Sequence, residues 1–112
     1  MLLVVDIGNT NIVWGVYNDR TLAAHWRLAT EVKKTSDEYG ILFVSLLTAV
    51  GIPPPSISGA IVSSVVPALT GTFEDMLEQY FHQRPLVVTS DTDTGLTLRY
   101  PNPKEIGSDR LV

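Results

Sequence analysis

A carboxylate at the end of an apolar run, followed at once by glycine, asparagine and threonine, has what a triphosphate needs. This chain opens in that way: Leu2-Leu3-Val4-Val5 leads into Asp6-Ile7-Gly8-Asn9-Thr10-Asn11. Gly8 lets the backbone come close to a ligand, and the amides of Gly8, Asn9 and Thr10 can then point at phosphate oxygens. Thr10 and Asn11 add side-chain donors. Asp6 is placed to hold Mg²⁺ through water, because magnesium keeps most of its hydration shell. An ordinary hairpin uses the same residue types, since Asp-x-Gly is common wherever chains reverse, and the turn alone does not decide between the two. A second chemistry-bearing stretch lies at the far end, Gly107-Ser108-Asp109-Arg110. There Ser108 can cap a helix that Asp109 begins, which puts a carboxylate and a guanidinium at a helix start.

The elements that must position these residues follow from hydrophobic period. Residues 2–5 predict a strand that opens into a hairpin, the glycine supplying backbone freedom and the asparagines tolerating left-handed geometry. Ile12-Val13-Trp14-Gly15-Val16-Tyr17 is its return strand. After a turn at Asn18-Asp19-Arg20, Leu22, Ala24, Trp26 and Leu28 alternate with Ala23, His25 and Arg27, the period-2 signature of a half-buried third strand. Thr35 and Glu38 have capping-box spacing, and Tyr39, Leu42, Phe43, Leu46, Leu47 and Val50 recur at helical intervals up to Gly51 and the Pro53-Pro54-Pro55 stop. Residues 59–66 form a continuous apolar and β-branched run, as in a strand covered on both faces. Pro67 then opens a second helix with the stripe Leu69, Phe73, Met76, Leu77, Tyr80 and Phe81, and residues 85–89 make a fifth strand.

The order β-β-β-α-β-α-β predicts an α/β domain: an antiparallel meander followed by right-handed crossovers to parallel neighbours in a mixed five-stranded sheet. Sheets of this kind occur in the actin-like and ribonuclease-H-like folds. From Ser90 onward Asp91, Asp93, Gly95, Pro101, Pro103 and Gly107 interrupt any regular pattern, apart from a short strand at 96–100. Long irregular segments in compact domains are often functional.

Composition narrows the classes. The 112 residues are enough for one domain with a real core, and 45 % apolar with 18 % charged residues describes a globular chain rather than a disordered one. A net charge of −4 with scattered Lys and Arg argues against nucleic acid as a partner. The absence of cysteine excludes disulfides, thiolate nucleophiles and zinc ribbons. No cationic segment precedes a long apolar core, and no run approaches the roughly 20 residues of a membrane span, so a cytoplasmic enzyme or binding domain is expected. His25 and His82 lack metal-ligand spacing and are expected at the surface.

Taken together, Asp6-Ile7-Gly8-Asn9-Thr10-Asn11, Gly95-Leu96-Thr97-Leu98-Arg99-Tyr100 and Gly107-Ser108-Asp109-Arg110 resemble the type III pantothenate kinases. Thr35-Ser36-Asp37-Glu38-Tyr39 and Ser63-Ser64-Val65-Val66-Pro67 are similar to that family at matching places. The resemblance spans all 112 residues and implies an actin-like ATPase fold and phosphorylation of pantothenate by ATP, the first step towards coenzyme A. It makes residues Asp6, Ile7, Gly8, Asn9, Thr10, Asn11, Ile12 and Val13 the first phosphate loop. It assigns Tyr100, Gly107, Ser108, Asp109 and Arg110 to pantothenate, with Asp109 as general base. Pro101 stands where the family usually has Asp, and Ser108 where it usually has Ala; proline stiffens the segment that presents Tyr100.

These roles are chemically coherent. Phosphorylating a primary alcohol needs a positioned hydroxyl, an acceptor for its proton and charge stabilisation around the transferred group. Arg110 can pair bidentately with the carboxylate of pantothenate. The resemblance further implies Mg²⁺, a monovalent cation (K⁺ or NH₄⁺) and a homodimer of the full-length protein. The family's second phosphate loop, adenine pocket and cation ligand have no counterpart in these 112 residues, so the chain is expected to be the N-terminal actin-like domain only and inactive by itself. Some family members act as non-catalytic accessory or regulatory proteins; Asp6 together with Asp109 favours the enzyme.

Overall fold

The computed structural model describes residues 1–89; the strand expected at 96–100 and the helix start at Ser108 lie outside them. Five strands form one sheet: β1 (Leu2–Ile7), β2 (Asn11–Asn18), β3 (Thr21–Ala29), β4 (Gly59–Ser64) and β5 (Leu86–Thr89). Their spatial order is β3-β2-β1-β4-β5. β1 pairs antiparallel with β2 and parallel with β4, and β5 extends the parallel half beyond β4. The expected mixed sheet and element order are therefore present, with α1 (Ser36–Ala49) between β3 and β4 and α2 (Pro67–Phe81) between β4 and β5.

Each helix begins where its sequence says it should. Thr35 Oγ1 accepts the Glu38 amide at 3.2 Å while the Glu38 carboxylate accepts the Thr35 amide at 2.8 Å, satisfying two otherwise orphaned donors. α2 has no side-chain cap; Pro67 occupies the first turn, where its missing N–H leaves nothing unpaired. It ends on His82, in the left-handed conformation at φ 57°. Val50, expected in the α1 stripe, is 53 % exposed, because the helix stops at Ala49 and Val50 has left the helical period. The triple proline does more than stop the helix: residues Pro54–Ser56 form a single 3-10 turn.

Alternate residues of the central strands meet the helices. Leu3, Val5 and Ile7 of β1, Ile12, Trp14 and Val16 of β2, and Ala60 and Val62 of β4 are buried against Tyr39, Phe43 and Leu47 of α1 and Leu69, Phe73, Met76, Leu77 and Phe81 of α2. Each Val, Leu, Ile, Phe or Met side chain among them contributes about 1.5–3 kcal/mol by leaving water. The reading of β4 as covered on both faces needs correction: its buried residues alternate with half-buried ones, because both described helices lie on one side of the sheet. At the meander end, Phe43 stacks on Trp14 at 3.7 Å and Trp14 on Trp26 at 4.2 Å between ring centroids. The Trp14 indole N–H is buried with no acceptor among the described residues.

At Gly40 α1 packs directly against Tyr80 of α2. A Cβ there would lie 2.5 Å from the Tyr80 ring, whose hydroxyl donates to Asp37 Oδ1 at 2.8 Å. Gly40→Ala should therefore lower the urea midpoint, with the overpacking cost of ~1–3 kcal/mol exceeding the ~1 kcal/mol that alanine gains in a helix. A midpoint that rises would show that the ring swings aside freely.

Tyr39 yields a pH prediction. Burial first, and the charges of Glu31 and Glu38 after it, hold its phenol above the ordinary range, against the opposing hydrogen bond at Glu31. The folded state thus favours the neutral phenol, so this contribution is complete below the unfolded pKa of about 10 and is lost as pH rises towards the folded value. Thermal unfolding followed into alkali should show stability falling there, and falling less steeply in Tyr39→Phe.

Candidate functional site

β1 and β4 run parallel, so their C-terminal ends reach the same edge of the sheet. Asp6 pairs with Ser63 and Ile7 with Ser64, and the Val65 amide extends the ladder by donating to the Ile7 carbonyl at 3.1 Å. In open α/β sheets, ligands bind at this end of the strands. The β1–β2 turn, Gly8 to Asn11, projects from the same edge, and so does the corner that leads into α2.

Asp6 sits in β1 between buried Val5 and Ile7, with its side chain exposed on the face away from the helices. Ile7 and Ile12 are completely buried; their side chains belong to the core, which leaves only their backbone to face a ligand. Val13 is 38 % exposed, Gly8 and Asn11 are half-buried, and Asn9 and Thr10 are exposed at the tip. Tyr100, Gly107, Ser108, Asp109 and Arg110 lie outside the described residues.

The turn is not built as its residue types suggest. Neither Gly8 nor the asparagines take positive φ; among the described non-glycine residues only Asp19 and His82 do. Gly8 is needed for close approach instead, because a Cβ there would lie 3.0 Å from the Asn11 carbonyl oxygen. The Gly8 amide donates to that same carbonyl at 2.9 Å. It closes the hairpin rather than facing a ligand, and of the three amides expected to point at phosphate, those of Asn9 and Thr10 remain.

The structure adds residues that the sequence reading did not name. Thr30, one residue past β3, donates its Oγ1 hydroxyl to the Gly8 carbonyl at 2.7 Å and its amide to the Thr10 carbonyl at 3.0 Å. The next residue, Glu31, is held from behind by Tyr39, whose hydroxyl donates to its carbonyl at 2.9 Å and accepts its amide at 3.1 Å. At the other side of the mouth, the buried Ser64 hydroxyl accepts the Val66 amide at 3.1 Å and donates to the Val66 carbonyl at 3.1 Å. Thr70 Oγ1 donates to it at 3.0 Å, fixing the corner from which α2 starts. A signal for Thr30 was available: once β3 pairs antiparallel with β2, with Ala29 opposite Asn11, the next residue must meet the turn.

No group of three or more His, Asp or Glu able to hold a metal ion occurs among the described residues. An exposed carboxylate beside a turn suits an ion bound mainly by water and phosphate, which is how Mg²⁺ commonly sits, rather than one enclosed by protein ligands. No helix among the described residues is long and apolar enough to cross a membrane.

Comparison with known proteins supports the architecture. The chain superposes on a ROK hexokinase from Thermus thermophilus with TM-score 0.60 at 11 % identity, over 79 % of this chain and 34 % of that one. A putative N-acetylglucosamine kinase from Porphyromonas gingivalis gives TM-score 0.58 at 19 % identity, over 80 % and 34 %. These likenesses show the actin-like fold. In sequence, the profile of the type III pantothenate kinase family matches residues 2–112. Type III pantothenate kinases from Halalkalibacterium halodurans and Myxococcus xanthus are each 48 % identical over the whole of this chain, which spans 44 % of their length. With near-half identity along its entire length and the family profile running from residue 2 to its end, the chain belongs to the type III pantothenate kinase family.

Proposed function

We propose that this chain supplies the N-terminal half of a cytoplasmic, ATP-dependent pantothenate kinase that works as a homodimer when full-length. The observation that carries the reading is the polar turn at the mouth of the central strand, with Asp6 exposed beside it, in a chain of this family. In this reading the Asn9 and Thr10 amides and the Thr10 and Asn11 side chains bind the phosphates. Asp6 is the residue that would hold Mg²⁺ through water; the bound ion would neutralise charge that builds on the phosphoryl oxygens. A monovalent cation, K⁺ or NH₄⁺, belongs to the same reading, with its ligand in the other half. Tyr100, Gly107, Ser108 and Arg110 orient pantothenate, the guanidinium pairing with its carboxylate, and Asp109 accepts the proton of the attacking hydroxyl. The acidic balance of the chain suits a small-molecule substrate rather than nucleic acid.

In a chain of full family length that carries these residues, Asp6→Asn should cut turnover by a factor of ~10² or more, the scale expected for a phosphoryl-transfer positioning group. It should also weaken binding of ATP with Mg²⁺ while the unfolding temperature stays nearly constant, since the side chain is exposed and both neighbours keep the core filled. Early unfolding with intact activity per folded molecule would make Asp6 structural.

Asp109→Ala in the same protein should lower kcat far more than it weakens pantothenate binding, because a general base acts chiefly in the transition state. Loss of pantothenate affinity with an intact rate at saturation would remove the base assignment.

A further inference from the structure

The polar turn is held by a residue that does not belong to it. Thr30 reaches two of its carbonyls: Oγ1 donates to Gly8 and the amide to Thr10. The Gly8–Asn9 peptide is trans, as are all described peptide bonds, so its C=O and N–H point in opposite directions. A Gly8 carbonyl drawn towards Thr30 therefore turns the Asn9 N–H to the other side, away from β3. Asn9 is exposed at the tip, and its amide has no acceptor among the described residues. With the Gly8 amide already committed to Asn11, the direction of the Asn9 amide is the adjustable quantity in the turn.

Thr30 is itself braced. Tyr39 grips the carbonyl and amide of Glu31, next to Thr30, and Tyr39 is fully buried with its ring 4.7 Å from that of Phe73 in α2. A continuous path of hydrogen bonds and ring packing thus runs from α2 through α1 to the turn.

We propose that Thr30 is a positioning residue for the nucleotide: its hydroxyl sets the direction in which the Asn9 amide is offered to a phosphate oxygen. The proposal rests on the nucleotide-binding reading of Gly8 to Asn11. Thr30→Val keeps the side chain's shape and the backbone bond to Thr10 but removes the donor to Gly8, so the Gly8–Asn9 peptide can rotate. Thr30→Ser keeps the donor.

The test uses the full-length kinase, with calorimetric titration of ATP plus Mg²⁺ alongside steady-state kinetics for both substrates. Thr30→Val should weaken ATP binding and raise KM for ATP by about tenfold, the scale of one lost hydrogen bond, and leave KM for pantothenate within about twofold. Thr30→Ser should restore ATP affinity to within about threefold of the parent. The proposal is overturned if Thr30→Val keeps the parent's ATP affinity, if serine fails to rescue, or if both substrates are affected in parallel with a lowered unfolding temperature, which marks a merely structural role. A parent that turns over but whose Thr30→Val variant binds ATP normally removes the role of Thr30 alone. A parent that does not bind ATP removes the nucleotide-binding reading, and the role of Thr30 with it.

Discussion

The register of β1 is the constraint on which the mouth of this sheet depends. Leu3, Val5 and Ile7 have no exposure at all, and each is paired on both sides, antiparallel to β2 and parallel to β4. Because side chains alternate, a slip of one residue would carry Asp6 into the core and Ile7 out of it. Burying a carboxylate and exposing three aliphatic side chains opposes that slip strongly. The face on which Asp6 emerges is thus fixed by the hydrophobicity of its neighbours. The same lock brings Ser63 and Ser64 level with Asp6 and Ile7, so that the two loops leaving the sheet emerge side by side.

Much of this was legible along the chain because it is local. Thr35 and Glu38 satisfy one another three residues apart, Pro67 sits where a helix tolerates proline, and the alternation of Ala24, Trp26 and Leu28 reports which face of β3 meets the helices, whereas Leu22, expected with them, is 44 % exposed because the pairing of β2 with β3 shifts register at Val16 and Tyr17. What escaped the reading is non-local. Thr30 lies 22 residues from Gly8, and it is the register of β3 against β2, with Ala29 opposite Asn11, that brings its hydroxyl to the Gly8 carbonyl. The turn residues misled for a related reason. Gly and Asn are favoured where left-handed backbone is needed, yet here the glycine answers a steric demand from Asn11, visible only when both ends of the loop are placed.

The described residues divide into a rigid part and an offered part. The helix layer, Tyr39, Glu31, Thr30 and the closing bond from Gly8 to Asn11 form a connected support. At the exposed tip, Thr10 joins this support through its carbonyl, which accepts the Thr30 amide, and the Asn9 amide is the donor left outside it among the described residues. Under the nucleotide-binding proposal such a division would suit a highly charged ligand: donors held in place lose little freedom on binding, and more of the interaction is realised as affinity.

The aromatic stack beside the turn has an optical consequence. The chain contains two tryptophans, and both lie in it, Trp14 packed between Phe43 on one side and Trp26 on the other. Indole absorption and emission of these 112 residues therefore arise from a single coupled pair, one partner in the core and the other on the edge strand that runs into Thr30. Light emitted by the unlabelled chain reports on the seam between β2 and β3, the same seam along which the polar turn is suspended.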